Sequence, residues 1–375
     1  MKIVHIITGL NDGGAEEILY KICLHDKLNN HIVISVVSGG KYVSLLKKLG
    51  VKVYCLNMKF YSFFNFFYLI KLLKILQPDI VQTWLIHGDF IGGIAARFAG
   101  IKNILWTIPY SKVDTSIEKI RNILLIKILA KLSYIIPKLI LVISKSGKKN
   151  CQNLGYYEKK LRLVTTGYDL FFFKRNRYEK LYFKKKLKIE KQTPLLGIVA
   201  RYHPVKDHTN LLNALSIVKL KNKNFICIFV GSGMTKNNKI LLNEIRKLEL
   251  DSFVKLLGPK SNIPQVMNGL DVNILCSKSE GFPNVVVEAM ACGTPCVVTN
   301  VGDSSFIVGK NGWVVPPSNS IKLANAIEKA LSEINSKNWK KKCSQARLRV
   351  HNKFEIKKMI KYYNLTWLEV CNNKF

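Results

Sequence analysis

The sequence predicts an α/β protein of two successive domains, each a parallel sheet covered by helices, the two facing across a cleft. Three observations carry this expectation. Short β-branched runs alternate with helical periodicity through the first half of the chain, the alternation breaks around Phe171 to Lys191, and beyond it the alternation restarts. At 375 residues the chain is long enough for two domains that each bury a core.

The elements follow in order. Lys2 to Thr8 reads as a strand, and Gly13-Gly14 opens a helix through Glu16, Glu17, Leu19 and Ile22. Strand Ile32 to Ser38, helix Tyr42 to Leu49 and strand Lys52 to Asn57 come next. Pro78-Asp79 ends a helix before strand Ile80 to Leu85, and Gly88 to Ala99 reads as helical. Phe171 to Lys191 reads as a Lys-rich, aromatic-studded connector. The second half sets strand Leu195 to Ala200, helix His208 to Lys219 and strand Phe225 to Val230, which ends in Gly231-Ser232-Gly233. Helix Asn237 to Leu248, strand Val254 to Leu257, a helix near Ile263 to Gly269 and strand Val272 to Cys276 follow. Helix Pro283 to Ala291 closes at Gly293, placed as a left-handed cap with Pro295 barring continuation, before strand Cys296 to Thr299. The expected domains are residues 1–172 and 173–355, with a last helix over 356–375 packing back toward the first. Ligands of such sheets sit beyond the carboxyl ends of the strands.

Composition narrows the function classes. A hydrophobic share of 48% and a charged share of 22% are ordinary for a globular chain, which argues against disorder. Nine cysteines without a Cys-x-x-Cys pair do not form a disulfide pattern, and Cys292 and Cys296 read as small buried apolar residues, so a reducing cytoplasm fits. The first ten residues lack the apolar core and cleavage site of a signal peptide. Charge is the outlier: 59 Lys and Arg against 24 Asp and Glu give +35. Such a surface attracts nucleic acid, anionic lipid or phosphorylated substrates, although a Lys-rich proteome would produce it too. No recognition helix, zinc knuckle or aromatic single-strand platform is apparent, so nucleic acid is not the expected partner.

The segment Glu280-Gly281-Phe282-Pro283-Asn284-Val285 is the most informative. It sets a carboxylate in a Gly/Pro turn after a strand, and Glu288 lies eight residues on, in an otherwise apolar helical run where an unpaired carboxylate is costly. Turn amides and the positive helix end can hold phosphates and sugar hydroxyls there. Upstream, Arg201 and Lys206 lie five apart on a loop entering a helix, a spacing that can clamp a diphosphate. Gly13 and Gly14, between a strand and a helix, let backbone approach a phosphate or simply make a tight turn. His87 stands at a strand's carboxyl end before a glycine, where a capping or core role competes with a catalytic one.

The Glu280 to Pro295 segment closely resembles the Glu-x7-Glu signature of retaining glycosyltransferases of family 4, and the resemblance spans nearly the whole chain. It implies the B-type glycosyltransferase fold, two Rossmann-like domains. It implies that Glu280 binds donor-sugar hydroxyls, that Glu288 binds the nucleotide ribose, and that amides at Gly281 to Val285 help hold sugar and phosphates. Arg201 and Lys206 would stabilise the leaving nucleotide diphosphate, Gly231 and Gly233 would lie near the base, and Gly13 and Gly14 would line the donor and acceptor cleft. His87 matches a position where the family often has a histidine close to the transferred sugar. Thr166-Gly167-Tyr168-Asp169 departs from the usual Asn-Gly-x-Asp, and Trp106-Thr107-Ile108-Pro109 lacks the polar or basic residue of some relatives.

The expected activity is a retaining, metal-independent hexosyl transfer from a nucleotide diphosphate sugar, UDP-linked by preference, to a lipid-linked or polysaccharide-precursor acceptor of surface polysaccharide. No Asp-x-Asp triplet occurs, so no metal and no cofactor are expected, with Arg201, Lys206 and helix ends taking the metal's place. A nucleotide-sugar epimerase or hydrolase of the same fold, or a basic nucleic-acid-binding protein, are the alternatives. No run reaches the length of a membrane span. The aromatic segment Phe60 to Tyr68 and the basic, partly amphipathic Lys112 to Tyr134, with Lys119, Lys127 and Lys131, suit either core helices or an anionic membrane surface. That places the protein on the cytoplasmic face of the inner membrane as a peripheral protein.

Overall fold

The computed structural model describes residues 1–58, 63–109, 120–222, 224–334 and 336–372. Lys112, Lys119 and Phe60 to Ser62 therefore lie outside the described residues. The chain divides into two compact units, residues 1–167 with 356–375, and residues 168–355.

The first unit is built from β1 (Lys2–Ile7), α1 (Gly14–His25), β2 (Asn30–Ser35), α2 (Lys41–Lys48), β3 (Lys52–Cys55), α3 (Phe63–Leu76) and β4 (Ile80–Trp84). There follow the single turn α4 (Leu85–His87), a π-helical turn over Gly88–Gly92, α5 (Gly93–Phe98), β5 (Ile104–Ile108), α6 (Ile120–Leu132), β6 (Leu139–Val142), α7 (Lys145–Asn153) and β7 (Leu161–Leu163). Its sheet is parallel throughout, in the order β3-β2-β1-β4-β5-β6-β7, with Ile3 opposite both His31 and Ile80. The central strands are buried on both faces, which is why they read as unbroken apolar runs. One face is covered by α3, α5 and α6, the other by α1 and α2.

The second unit runs α8 (Arg177–Lys186), β8 (Leu195–Val199), a 3₁₀ turn over Pro204–Lys206, α9 (His208–Lys221), β9 (Ile226–Val230), α10 (Lys239–Lys247) and β10 (Val254–Gly258). It continues with α11 (Ile263–Gly269), β11 (Val272–Leu275), α12 (Asn284–Ala291), β12 (Cys296–Thr299), α13 (Ser304–Val308), β13 (Trp313–Val315), α14 (Ser320–Glu333) and α15 (Lys337–Phe354). The parallel order is β10-β9-β8-β11-β12-β13. Side-chain caps fix where many of its helices start: Asn176, Asn238, Asn262, Asn319 and Ser336 each accept from a first-turn amide. Gly293 ends α12 at φ +78°, the left-handed conformation that its place before Thr294-Pro295 predicts. Finally α16 (Ile356–Cys371) belongs to the first unit, where Trp367 Nε1 donates to Gln82 Oε1 on β4 at 2.8 Å.

Two expectations are corrected. The supposed connector contains α8, which the Asn176 cap starts and which a buried ion group anchors. Lys180 and Lys184 reach the Asp271 carboxylate at 2.5 and 2.9 Å, and the Leu195 amide joins them at 2.8 Å. Lysine content hid a half-buried helix. Gly88 to Ala99 is likewise not one α-helix. A Cβ on Gly92 would meet Ile6 Cγ2 at 2.8 Å, and one on Gly93 would meet Trp106 Nε1 at 2.9 Å, so this segment lies hard against β1 and β5 and opens into a π turn first. Strand and helix ends elsewhere shift by one to three residues from the sequence reading; β2, for example, stops at Ser35. Cys292 and Cys296 are buried and free.

Candidate functional site

In the second unit the strand order reverses between β8 and β11, so the loops after these two strands diverge around a crevice at their carboxyl ends. Four predicted residues fall on these loops or just beyond. Arg201 follows β8 and is exposed, with no carboxylate paired to it among the described residues. Lys206 ends the 3₁₀ turn, whose start is capped by His203 Nδ1 accepting from the Val205 amide. Glu280 lies on the loop after β11, and Glu288 is half-buried in α12.

Lys206 and Glu280 meet directly. Lys206 Nζ is 2.5 Å from Glu280 Oε1, and Ser277 Oγ donates to the same oxygen at 2.6 Å. The two loops are also stitched by backbone: the Lys278 amide donates to Val205 O at 2.8 Å, and the Cys276 thiol reaches Lys206 O at 3.0 Å. A charge pair with one quarter-exposed and one mostly buried side chain holds the crevice internally neutral.

Gly231 and Gly233 have a backbone reason to be glycine. Gly231 has φ +142°, and a Cβ there would lie 2.0 Å from Ala200 O, while a Cβ on Gly233 would lie 2.7 Å from Tyr202 Cβ. The Tyr202 amide donates to Ser232 O at 2.7 Å, so the loops after β8 and β9 are fastened together. Gly281 is held from behind by the Asp303 amide at 2.9 Å, over Gly302, whose φ of +54° and 2.3 Å clearance admit no side chain. Phe282 and Pro283 lead into α12, and Asn284 Oδ1 accepts from Tyr168 Oη at 2.6 Å. Along α12, Asn284, Val285 and Glu288 share the open stripe while Val286, Val287, Ala289, Met290 and Ala291 are buried. Glu288 therefore avoids the cost of a core carboxylate by facing outward.

In the first unit the strand order reverses between β1 and β4. Gly13 caps α1 and Gly14 begins it, after β1, whereas His87 ends α4, after β4. The Glu16 carboxylate folds back over Gly13, 2.5 Å from where a Cβ would be, and burial raises its pKa. Leu85 at φ +68° makes the sharp exit from β4 that presents His87, an unusual conformation for a residue with a side chain. His87 is half-buried; burial first, then the Arg121 guanidinium, lowers its pKa. Behind it, the π turn is pinned by Asp89, a fully buried carboxyl with Thr83 Oγ1 at 2.5 Å, whose pKa burial drives well above the usual range.

Metal-ligating groups were sought by spacing, and His5, Cys23 and His31 gather in the first unit's core. Their protons argue for a structural network. Trp84 Nε1 can only donate, so His5 Nδ1 accepts at 3.2 Å; His5 Nε2 then donates to His31 Nδ1 at 3.0 Å, and His31 Nε2 to Asp26 Oδ2 at 3.0 Å. A metal on His5 Nε2 would force a proton onto Nδ1, against the indole N–H.

The sequence reading missed Ser277, Gly302 and Asp303, since a serine or glycine gives no local sign of which loop it supports. The Ser-x-x-Glu spacing alone could have suggested Ser277.

Comparison with known proteins agrees with this geometry. Residues 179–346 match the family described as glycosyl transferases group 1. The chain is 24% identical over 82% of its length to a capsular polysaccharide biosynthesis glycosyltransferase, CapH, of Staphylococcus aureus, covering 83% of that protein. It is also 24% identical, over 81% of its length and 79% of the relative, to an Escherichia coli UDP-Gal:alpha-D-GlcNAc-diphosphoundecaprenol alpha-1,3-galactosyltransferase. The solved structure of Anabaena HepE in complex with UDP shares the fold at a TM-score of 0.87, with 21% identity and coverage of 98% of this chain and 99% of that one.

Proposed function

Starting from a glycosyltransferase whose residues 179–346 carry the group 1 glycosyl transferase domain, we propose that this chain moves a hexosyl group from a UDP-sugar to a lipid-linked precursor of surface polysaccharide, with retention of configuration. The observation that carries this reading is the Lys206–Glu280 pair at the switch point between β8 and β11. It brings a diphosphate-binding cation and a sugar-binding carboxylate to one crevice, as the family 4 resemblance requires. Arg201, Lys206 and the α12 N-terminus meet the negative charge that grows on the departing diphosphate, a task that needs no divalent ion. Glu288 takes the ribose, and the Gly281 to Val285 amides the sugar and phosphates. In the first unit, His87 and the Gly13-Gly14 loop serve the transferred sugar and the acceptor; a neutral His87 suits this place, because its lowered pKa keeps it uncharged.

The acceptor reading adds a membrane. On the sheet face covered by α3, α5 and α6, outward-facing Phe64, Phe67, Tyr68 and Ile75 of α3, Phe98 of α5, and Ile120, Leu124 and Ile128 of α6 lie among Lys71, Lys74, Arg121, Lys127 and Lys131. These three helices contain no Asp or Glu. Apolar groups flanked by cations alone fit the interface of an anionic bilayer at the cytoplasmic face. Among the described residues no helix is long and apolar enough to cross a membrane.

The test is release of nucleoside diphosphate from a panel of UDP- and other nucleotide sugars, with and without a diphosphoundecaprenol-linked glycan, in EDTA. Acceptor-dependent release that survives EDTA is the expected result. Release without acceptor would indicate a hydrolase, conversion of the sugar without release an epimerase, and rescue only by Mg²⁺ or Mn²⁺ would overturn metal independence.

A further inference from the structure

Glu280 Oε1 has two donors, and only one of them is committed to it. The Lys206 ammonium carries a mobile charge on a flexible stem, a quarter exposed, beside the crevice that the proposed diphosphate enters. A diphosphate bears more charge than one carboxylate, so it draws the ammonium to itself and leaves Glu280 without its cation. The Glu280 side chain is only 13% exposed, so water cannot replace what is lost.

The second donor cannot follow. Ser277 is 1% exposed, and its backbone is fixed on both sides of the hydroxyl. Its carbonyl accepts from Thr299 Oγ1 at 2.7 Å, and the next amide, on Lys278, donates to Val205 O at 2.8 Å. Thr299 is held in turn by Ser304 Oγ, which donates to Thr299 O at 2.5 Å. This chain of buried contacts leaves the Ser277 hydroxyl aimed at Glu280 whatever Lys206 does.

We propose that Ser277 is a positioning residue that keeps the Glu280 carboxylate ionised and directed at the donor sugar once the diphosphate has drawn Lys206 away. The proposal rests on the reading of Glu280 and Lys206 as donor-site residues. It gives the ion pair a meaning in the empty site, where it neutralises both groups, and gives Ser277 its task only in the filled one.

The experiment compares wild type with Ser277→Ala, Ser277→Cys and Ser277→Thr. Cysteine keeps the volume but donates weakly, and threonine restores the hydroxyl. UDP binding by calorimetry should stay within about twofold in all three, since Lys206 and Glu288 are untouched. The kcat of Ser277→Ala and Ser277→Cys should fall roughly ten- to a hundredfold, the range for losing a hydrogen bond to a charged group, with the acid limb of the kcat–pH profile moved to higher pH. Ser277→Thr should recover most of the rate. Should the alanine variant fail to fold, the cysteine variant carries the same comparison. Wild-type kcat in a folded Ser277→Cys would overturn the proposal, as would equal loss of UDP binding and turnover. Wild-type turnover in Glu280→Ala would instead overturn the donor-site reading itself.

Discussion

Glu280 and Glu288 are one signature in the sequence but occupy different surroundings. Glu280 is mostly buried and bonded to Lys206 and Ser277, whereas Glu288 faces outward from the open stripe of α12. Glu280→Ala should therefore lower kcat by about a hundredfold or more, as loss of a contact strengthened in the transition state does. Glu288→Ala should mainly raise the donor KM, by about tenfold. Steady-state kinetics on folded variants separates them, and equal effects on both constants would contradict the division of roles. His208 sets a second residue-scale expectation. It is stacked on Tyr202 with ring centroids 5.3 Å apart, and its Nε2 finds no hydrogen-bond partner among the described atoms. Burial, assisted by the Lys206 charge, pulls its pKa from 6.5 to about 4. An unfolded chain takes up this proton near pH 6.5, and the folded one only near 4. The stability His208 contributes is thus complete above 6.5 and is lost as pH falls toward 4, on the order of 3 kcal/mol in total. Buried His5, also lowered, acts in the same direction. Thermal unfolding from neutral pH downward should show the decline, and His208→Gln should flatten it; an unchanged slope would count against this account. Glu280, Lys206 and Arg201 were legible because charged residues after strands are conspicuous. Ser277 was not, because its role depends on which oxygen its hydroxyl meets.

Elements were most legible where burial is two-sided. β1, β4, β5 and β8 announce themselves as apolar runs, since both faces of a parallel sheet are covered. The π turn at Gly88–Gly92 was not, because helical periodicity cannot register one extra residue per turn, and α8 was not, because its buried Lys184 counts as polar in any pattern. The outward faces of α3, α5 and α6 were read as two separate segments, and the fold sets them on one side of one sheet. Each lysine near an anionic surface contributes about 1 kcal/mol, so Lys71, Lys74, Lys127 and Lys131 together give reversible, salt-sensitive attachment. Sedimentation with anionic liposomes should capture the wild type at low salt, and charge removal at these four positions should release it. Absence of binding at low salt would attribute the basic charge to composition alone, and binding indifferent to salt would mean a purely apolar anchor.

At the scale of the whole molecule, the strand orders of the two sheets each reverse once, and the predicted site residues gather at those reversals. The general order of alternating elements made this much readable from the sequence. What no local pattern could reveal is that the polypeptide leaves the first unit at Gly167 and re-enters it at Ile356. α16 buries Ile356, Met359, Ile360, Tyr363, Trp367 and Val370 there, on the order of 10 kcal/mol of gross apolar burial. A chain ending at Glu355 should lose amide-exchange protection in β1 and β4 while β8 and α12 keep theirs; unchanged protection in β1 would mean that α16 is dispensable. The consequence reaches into biosynthesis. The first unit emerges from the ribosome early, yet Gln82 and the face of the sheet around Ile3 and Ile80 wait for a helix encoded at the far end of the message. During that interval the nascent chain carries an uncovered apolar surface, a natural place for a chaperone to bind, and the part of the protein made first is the last to be finished.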